Sequence, residues 1–182
     1  YYFLNRNRVS RLFVYVFVAM MRAGHLLGID GMRFRHFIFH TYFLLRRPMT
    51  LGVRAIVFDE QKNSVFLVKH TYVPGWQLPG GGVDSGETFG QALEKELREE
   101  GNIFLTGRPE LFALYKNAHA SKRDHVALYV CRAFEQTEPK QRDREIAEAG
   151  FFPLDNLPDG TTSSPKRRLP EALHDLDPLP NW

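Results

Sequence analysis

The sequence predicts an α/β (α+β) domain in which helices cover a sheet, and three observations carry that prediction. Beyond Pro48 the apolar residues fall into short runs and period-two alternation, the pattern of strands. Only two stretches of that region have helical spacing, one after a glycine run and one opening on Ser164-Pro165. With 182 residues, 43% apolar and 25% charged, the chain has the size and composition of one globular domain with a real core. Strands with a few helices in this order imply a sheet sandwiched between helices.

The N-terminal region differs from the rest. Residues 1–58 hold nine arginines, no lysine and one acid, a net of +8, whereas residues 59–182 hold 15 basic and 20 acidic residues, a net of −5. The basic pI therefore describes the N-terminal segment rather than the domain behind it. Leu12 to Met21 is apolar and flanked by arginines, yet too short for a membrane span, which needs about 20 residues. It resembles a signal-peptide core without a small-x-small cleavage site. The chain begins at Tyr1, and reads as a fragment, a processed product or a frame opened too far upstream, with Met20, Met21 or Met32 as alternative starts. Residues 1–30 are thus an extension that need not belong to the native fold. Residues 31–49 contain an amphipathic helix, Met32 to Arg47, with Phe34, Phe37, Ile38, Thr41 and Leu45 on one face and Pro48 closing it. Two readings stay open: the helix packs on the domain or in a homodimer, or it lies on an anionic membrane surface. Nucleic acid is not the expected partner.

From residue 50 to residue 176 the chain reads as one domain. Leu51–Asp59 is a strand, Glu60–Asn63 its turn and Ser64–His70 a paired strand. Leu111–Lys116, Val126–Phe134 and Glu148–Leu154 are further strands, and Pro165 sits in the first turn of a last helix. Asp177–Trp182 is a proline-rich tail expected to be loose. Cys131 is the only cysteine, so no intrachain disulfide forms; a reducing, cytoplasmic location is expected.

The densest chemistry lies between Gly81 and Ile103. Pro79-Gly80-Gly81-Gly82 fits neither a helix nor a strand interior and can bring backbone groups close to a ligand. A helix follows from about Thr88 to Glu100, with Ser85 or Thr88 as N-cap. Phe89, Leu93 and Leu97 form its apolar stripe; Glu96 and Glu100 fall beside or within that stripe and Glu99 on its flank, so all three are expected to turn towards the domain. Like charges at i,i+4 repel by about 0.2–0.5 kcal/mol even when exposed, and burial raises the cost. A cation offsets that repulsion. Hard oxygens at this density suit Mg²⁺, with Mn²⁺ as substitute, rather than Zn²⁺.

This stretch resembles the signature of the Nudix hydrolases (the MutT/Nudix family), G-x5-E-x7-R-E-U-x-E-E-x-G-U. Gly81, Glu87, Glu96, Leu97, Glu99, Glu100 and Ile103 fall in register. Lys95 replaces the signature arginine, keeping its charge but losing its planar fork. Gly101-Asn102 replaces x-Gly, a mild change because both residues tolerate a left-handed helix end. Trp76-Gln77-Leu78-Pro79-Gly80 and Phe151–Pro158 extend the likeness. The resemblance implies an α/β/α sandwich with a mixed sheet. It also implies Mg²⁺-dependent hydrolysis of a pyrophosphate bond in a nucleoside diphosphate linked to another moiety. Metal ligands would be Glu96, Glu99 and Glu100 with the Gly80 carbonyl and an acid from outside the motif, Glu145, for which Glu148 is the competitor. Glu96 would be the general base or stand beside it, and Glu87 would be steadied by Lys95. The rival is a catalytically weak module that binds nucleotide or RNA as a sensor; Lys95 permits it and the intact Glu96-x-x-Glu99-Glu100 opposes it.

Candidates for substrate contact are Arg54 and His70 on the first strands, Trp76, which either stacks on a base or seals the core, and Asp124-His125, for which a hydrated turn is the alternative. The markers of ADP-ribose, dinucleoside polyphosphate, NADH and coenzyme A members are missing from their places. The group beyond the pyrophosphate is therefore left open.

Overall fold

The computed structural model describes residues 39–41, 49–174 and 176–182. Residues 1–48 and 49–182 form two separate compact units. In the first, residues 39–41 are helical and exposed; the rest of the expected helix Met32 to Arg47, and all of residues 1–30, lie outside the described residues. No helix among the described residues is long and apolar enough to cross a membrane.

The second unit runs β1 (Thr50–Asp59), β2 (Ser64–His70), β3 (Trp76–Gln77), α1 (Phe89–Gly101), β4 (Ile103–Leu105), β5 (Glu110–Lys116), β6 (Asp124–Cys131), β7 (Phe134–Gln136), β8 (Ile146–Pro153) and α2 (Ser163–Leu173). The main sheet has the order β3-β2-β1-β6-β5, with β8 also paired to β2, and it is mixed: β1 and β6 are parallel and the other pairs antiparallel. A small β4–β7 ribbon stands apart. Two boundaries differ from expectation. The run expected as one strand from Val126 to Phe134 is two strands, β6 and β7, in different sheets, and the strand expected at Glu148 begins at Ile146.

Strand alternation serves both faces. Val53, Ala55 and Val57 of β1 and Phe66 and Val68 of β2 join Ala92, Leu93 and Leu97 of α1 in one core. Ile56, Val65 and Leu67 join Trp76, Tyr115, Leu128, Leu169 and Ala172 in a second core under α2. This is the expected helix–sheet–helix sandwich. Leu93 and Leu97 are fully buried, and each contributes about 1.5–3 kcal/mol by leaving water; they fix the face that α1 turns inward.

One departure from regular pairing positions the site. β1 and β2 pair only at Phe58↔Val65 and Asp59↔Ser64, next to their turn. Beyond that point the strands part, and the glycine run enters along β1. Ala55 N–H donates to the Pro79 carbonyl, Val53 N–H to the Gly81 carbonyl and Val83 N–H to the Leu51 carbonyl, each at 2.9 Å. The run is thus stitched to the sheet as a short irregular strand that satisfies β1's free backbone groups.

The tail expected to be loose is docked. Trp182 N–H donates to the Lys116 carbonyl and Lys116 N–H to the Pro180 carbonyl, both at 3.0 Å, and the Trp182 ring packs edge-on against Tyr115 at 5.4 Å. The cause is Arg168, which is 0% exposed. Its guanidinium lies 4.2 Å over the Tyr115 ring, pairs with Glu171 and donates to the Asn181 carbonyl at 2.8 Å. A buried cation needs acceptors, and the tail's carbonyl supplies one.

Candidate functional site

The glycine run ends in a helix start with its own fastenings. The Thr88 hydroxyl caps the Gln91 N–H and the Gln91 side chain returns to the Thr88 N–H, a reciprocal capping box. At the other end Asn102 takes the left-handed conformation, φ 52°, in the signature's glycine position. Gly101, still helical, packs so closely on Phe66 and Ile103 that a Cβ would come within 2.9 Å of each. α1 is therefore held in rotation and height, and with it every acid it carries.

Glu96 is half-buried and its carboxylate lies directly over the Cα of Gly81, where a Cβ would collide with both oxygens. Gly80 has φ +135°, and a Cβ there would strike the Val53 carbonyl oxygen. Only glycine fits between strand and carboxylate. Gly80 N–H donates to Glu100 Oε2 at 2.7 Å, while its carbonyl accepts from the Arg54 guanidinium, which also donates to the Leu78 carbonyl at 3.0 Å. Glu100 is buried, and its Oε1 stands 3.3 Å from His70 Nε2. Burial pushes the Glu100 carboxyl up to about 7, against the Gly80 N–H and Arg54, which favour the anion. Glu96 is raised too, by burial first. His70 is held below its ordinary value by burial and then by Arg54, and its buried Nδ1 has no hydrogen-bond partner among the described residues.

Glu99 corrects the expectation that all three acids turn inward: it is exposed, on the wall of an open cavity of about 490 Å³. Glu96, Glu99, Glu100, Asp143 and Glu145 supply carboxylates to that cavity, and Arg98, Lys140 and Arg144 also line it. Glu145 is exposed, and its charge reaches both Glu96 and Glu100. Its backbone is set by Asp143, whose Oδ1 accepts from the N–H groups of Glu145 and Ile146 at 2.9 and 2.7 Å. Glu148 stands away from the cavity and faces Lys69 at 3.6 Å.

Glu87 lies outside that cavity wall. Lys95 Nζ donates to both of its oxygens, at 3.0 and 3.2 Å, and to Asp84 Oδ2 at 3.0 Å. Asp84 N–H donates to Glu87 Oε2 at 3.0 Å. These bonds lower the Glu87 carboxyl and raise the Lys95 ammonium. The lysine thus grips Glu87, with Asp84 as an unforeseen third partner. An ammonium's three hydrogens point in three directions, so a lysine in an arginine's place calls for such an extra acceptor.

Of the expected substrate contacts, Arg54 and His70 stand at the site, engaged with Gly80, Leu78 and Glu100. Trp76 does not: it is 7% exposed and packs edge-on against Phe152 at 4.7 Å, so the core-sealing alternative describes it. Asp124 and His125 also lie off the cavity wall. Asp124 closes a turn, accepting from the Thr50 hydroxyl at 2.6 Å and the Asn117 amide at 2.8 Å. The residues not foreseen are Asp84, Arg144 and the Lys140–Asp143 pair; the three-residue spacings of Asp84 to Glu87 and of Lys140 to Asp143 were the local signals available.

Among the described residues no three Asp, Glu, His or Cys side chains converge, as they stand, on one ion. The donor chemistry nonetheless fits a hard divalent cation. Two desolvated carboxyls, Glu96 and Glu100, share one cavity wall with exposed Glu99 and Glu145, and each charged form gains from a cation.

The NUDIX domain family model matches residues 48–173. A Bacillus subtilis protein, YjhB, is 31% identical over 124 residues, 66% of this chain and 57% of that protein. A Methanocaldococcus jannaschii protein named ADP-ribose pyrophosphatase is 30% identical over 102 residues, 54% of this chain and 60% of its own length. The chain thus spans less than two thirds of either curated relative. The crystal structure of a MutT NUDIX hydrolase from Burkholderia pseudomallei superposes with a TM-score of 0.56 at 28% identity, over 70% of this chain and 98% of that one.

Proposed function

Since this chain belongs to the NUDIX domain family, we propose that it hydrolyses a pyrophosphate bond in a nucleoside diphosphate linked to another moiety, with a divalent cation as cofactor. The observation that carries the reading is the Glu96 carboxylate seated on Gly81, beside buried Glu100 and facing Glu145 across one cavity. Glu96, Glu99, Glu100 and Glu145 would hold Mg²⁺ or Mn²⁺, with the Gly80 carbonyl, already accepting from Arg54, as a further oxygen. When bound, such a cation neutralises phosphate charge and acidifies water.

The chain's own groups then have distinct work. A water oxygen attacks one phosphorus, the bridging P–O bond breaks with its electrons leaving on the departing phosphate, and the water's proton passes to a carboxylate of this cluster. Glu96 is the nominee, because it is the half-buried carboxylate fixed over Gly81 on the cavity wall. Lys95 fixes Glu87 at the helix start, and Arg54 fixes the Gly80 peptide. Lys95 holding both Glu87 oxygens supports the catalytic reading over the sensor. The M. jannaschii relative's name puts ADP-ribose first in the substrate panel.

The test is incubation with Mg²⁺ and a panel of ADP-ribose, nucleotide sugars and nucleoside triphosphates, with products identified by mass. Turnover that Glu96→Gln abolishes is the expected result. Unchanged turnover in that variant would remove Glu96 from catalysis, and nucleotide binding without any turnover would favour the sensor.

A further inference from the structure

We propose that Tyr72 is the platform on which the substrate's nucleobase stacks, and that Arg144 beside it takes a phosphate of the same molecule; this rests on the nucleotide reading above. Tyr72 is 69% exposed, and its neighbour Val73 is 38% exposed. Exposure on this scale leaves most of the Tyr72 ring open to a ligand. The loop is nevertheless fixed. Thr71 N–H donates to the Glu145 carbonyl at 2.8 Å, and the Thr71 hydroxyl donates to the Arg144 carbonyl at 2.8 Å. The Tyr72 ring also leans on the His70 ring at 5.3 Å, and His70 touches Glu100.

The loop thus ties Tyr72 to the cavity wall that carries Glu145 and Arg144. The acids register at the phenol as well: after local desolvation, the charges of Glu100, Glu145 and Glu96 disfavour its ionisation. Arg144 lines the cavity together with five acidic residues, and among the described residues it forms no ion pair. A guanidinium kept free beside acids is available to an incoming phosphate, which it can bind through two parallel N–H groups. An aromatic platform, a free guanidinium and an acidic cavity in sequence match a base, a phosphate and a cation-bridged diphosphate. Trp76 cannot serve as that platform, since its ring is committed to the core.

The experiment is calorimetric binding of ADP, GDP, CDP, UDP and inorganic pyrophosphate, in Mg²⁺ buffer, to the full chain and to Tyr72→Phe, Tyr72→Ala and Arg144→Ala. Base–aromatic stacking of the usual strength predicts that Tyr72→Ala weakens nucleotides about tenfold and leaves pyrophosphate unchanged, while Tyr72→Phe binds like the parent. Arg144→Ala should weaken nucleotides and pyrophosphate alike. Unfolding temperatures should not move for Tyr72→Ala, given the ring's exposure. Equal losses for nucleotide and pyrophosphate in Tyr72→Ala, no loss, or no preference of the parent for nucleotides over pyrophosphate would each overturn the proposal. The hydrolytic reading fails separately, through turnover in Glu96→Gln.

Discussion

Each helix of the sandwich carries a buried acid, and the two acids are treated in opposite ways. Under α2, Glu171 is paired with fully buried Arg168 and accepts from the Tyr115 hydroxyl at 2.9 Å, while the guanidinium is also covered by two aromatic rings and bound to the tail. Under α1, Glu100 has one backbone N–H and an imidazole whose protonation is disfavoured. Its carboxyl is raised to about 7. The difference teaches how to tell a structural charge from a functional one. The first acid is neutralised from within the chain, and the second is left wanting a cation from outside.

The largest effects break the two sides separately. Glu96→Gln is expected to lower kcat by about 10²–10⁴-fold if Glu96 takes the proton, with the unfolding midpoint in urea little changed. Arg168→Met leaves Glu171 buried without its partner, and loss of one member of such a pair costs about 3–5 kcal/mol. Urea unfolding should show that loss, and the remaining folded enzyme should keep its kcat. A stable Arg168→Met protein would mean that the α2 pair does not fasten that side of the sandwich. Loss of turnover without loss of stability in that variant would dissolve the contrast between the two sides.

The helix with its acids was legible because its signals are local. Glycine run, cap, apolar stripe and carboxylates follow one another within 23 residues, Gly81 to Ile103, and the burial of Leu93 and Leu97 then dictates where Glu96 and Glu100 point. What escaped depends on distant partners. β3 and the β4–β7 ribbon are two or three residues per strand, too short for a periodic pattern, and exist through pairing alone. The tail looked loose because nothing in its own residues shows that Arg168 would be buried beside it. Trp76 stays open in the sequence between stacking on a base and sealing the core for a similar reason: its cover, Phe152, is distant along the chain.

A smaller effect sharpens the contrast through pH. The Glu100 carboxyl moves from 4.5 to about 7 on folding, so the folded cation-free chain holds a proton that the unfolded chain releases. Its stability therefore falls as pH rises from 4.5 to about 7, and Glu100 makes no further contribution to pH dependence outside that window. The size is on the order of 1–3 kcal/mol. Glu100→Gln should remove that slope and be the more stable protein at pH 8 without divalent ions, while Mg²⁺ should raise the unfolding temperature of the parent more than that of the variant. Parallel pH profiles for the two proteins would show that Glu100 is satisfied from within, like Glu171.

The smallest effect concerns the exposed grip at the start of α1. Lys95 reaches Glu87 and Asp84 with one ammonium, whereas an arginine can hold Glu87 by a planar fork without needing a third acceptor. Asp84→Asn should therefore lower kcat by about fivefold or less, as an exposed pair allows, and only while Lys95 is present. In a Lys95→Arg background the same change should do nothing. That dependence separates positioning from bulk charge, because removing one surface acid would act equally in both backgrounds if it worked only through the field of the cavity. Equal losses in the two backgrounds would leave Lys95 as a simple replacement for the signature arginine, with no compensating partner. A loss confined to the lysine background would identify Asp84 as the residue that lets this chain depart from the signature at position 95.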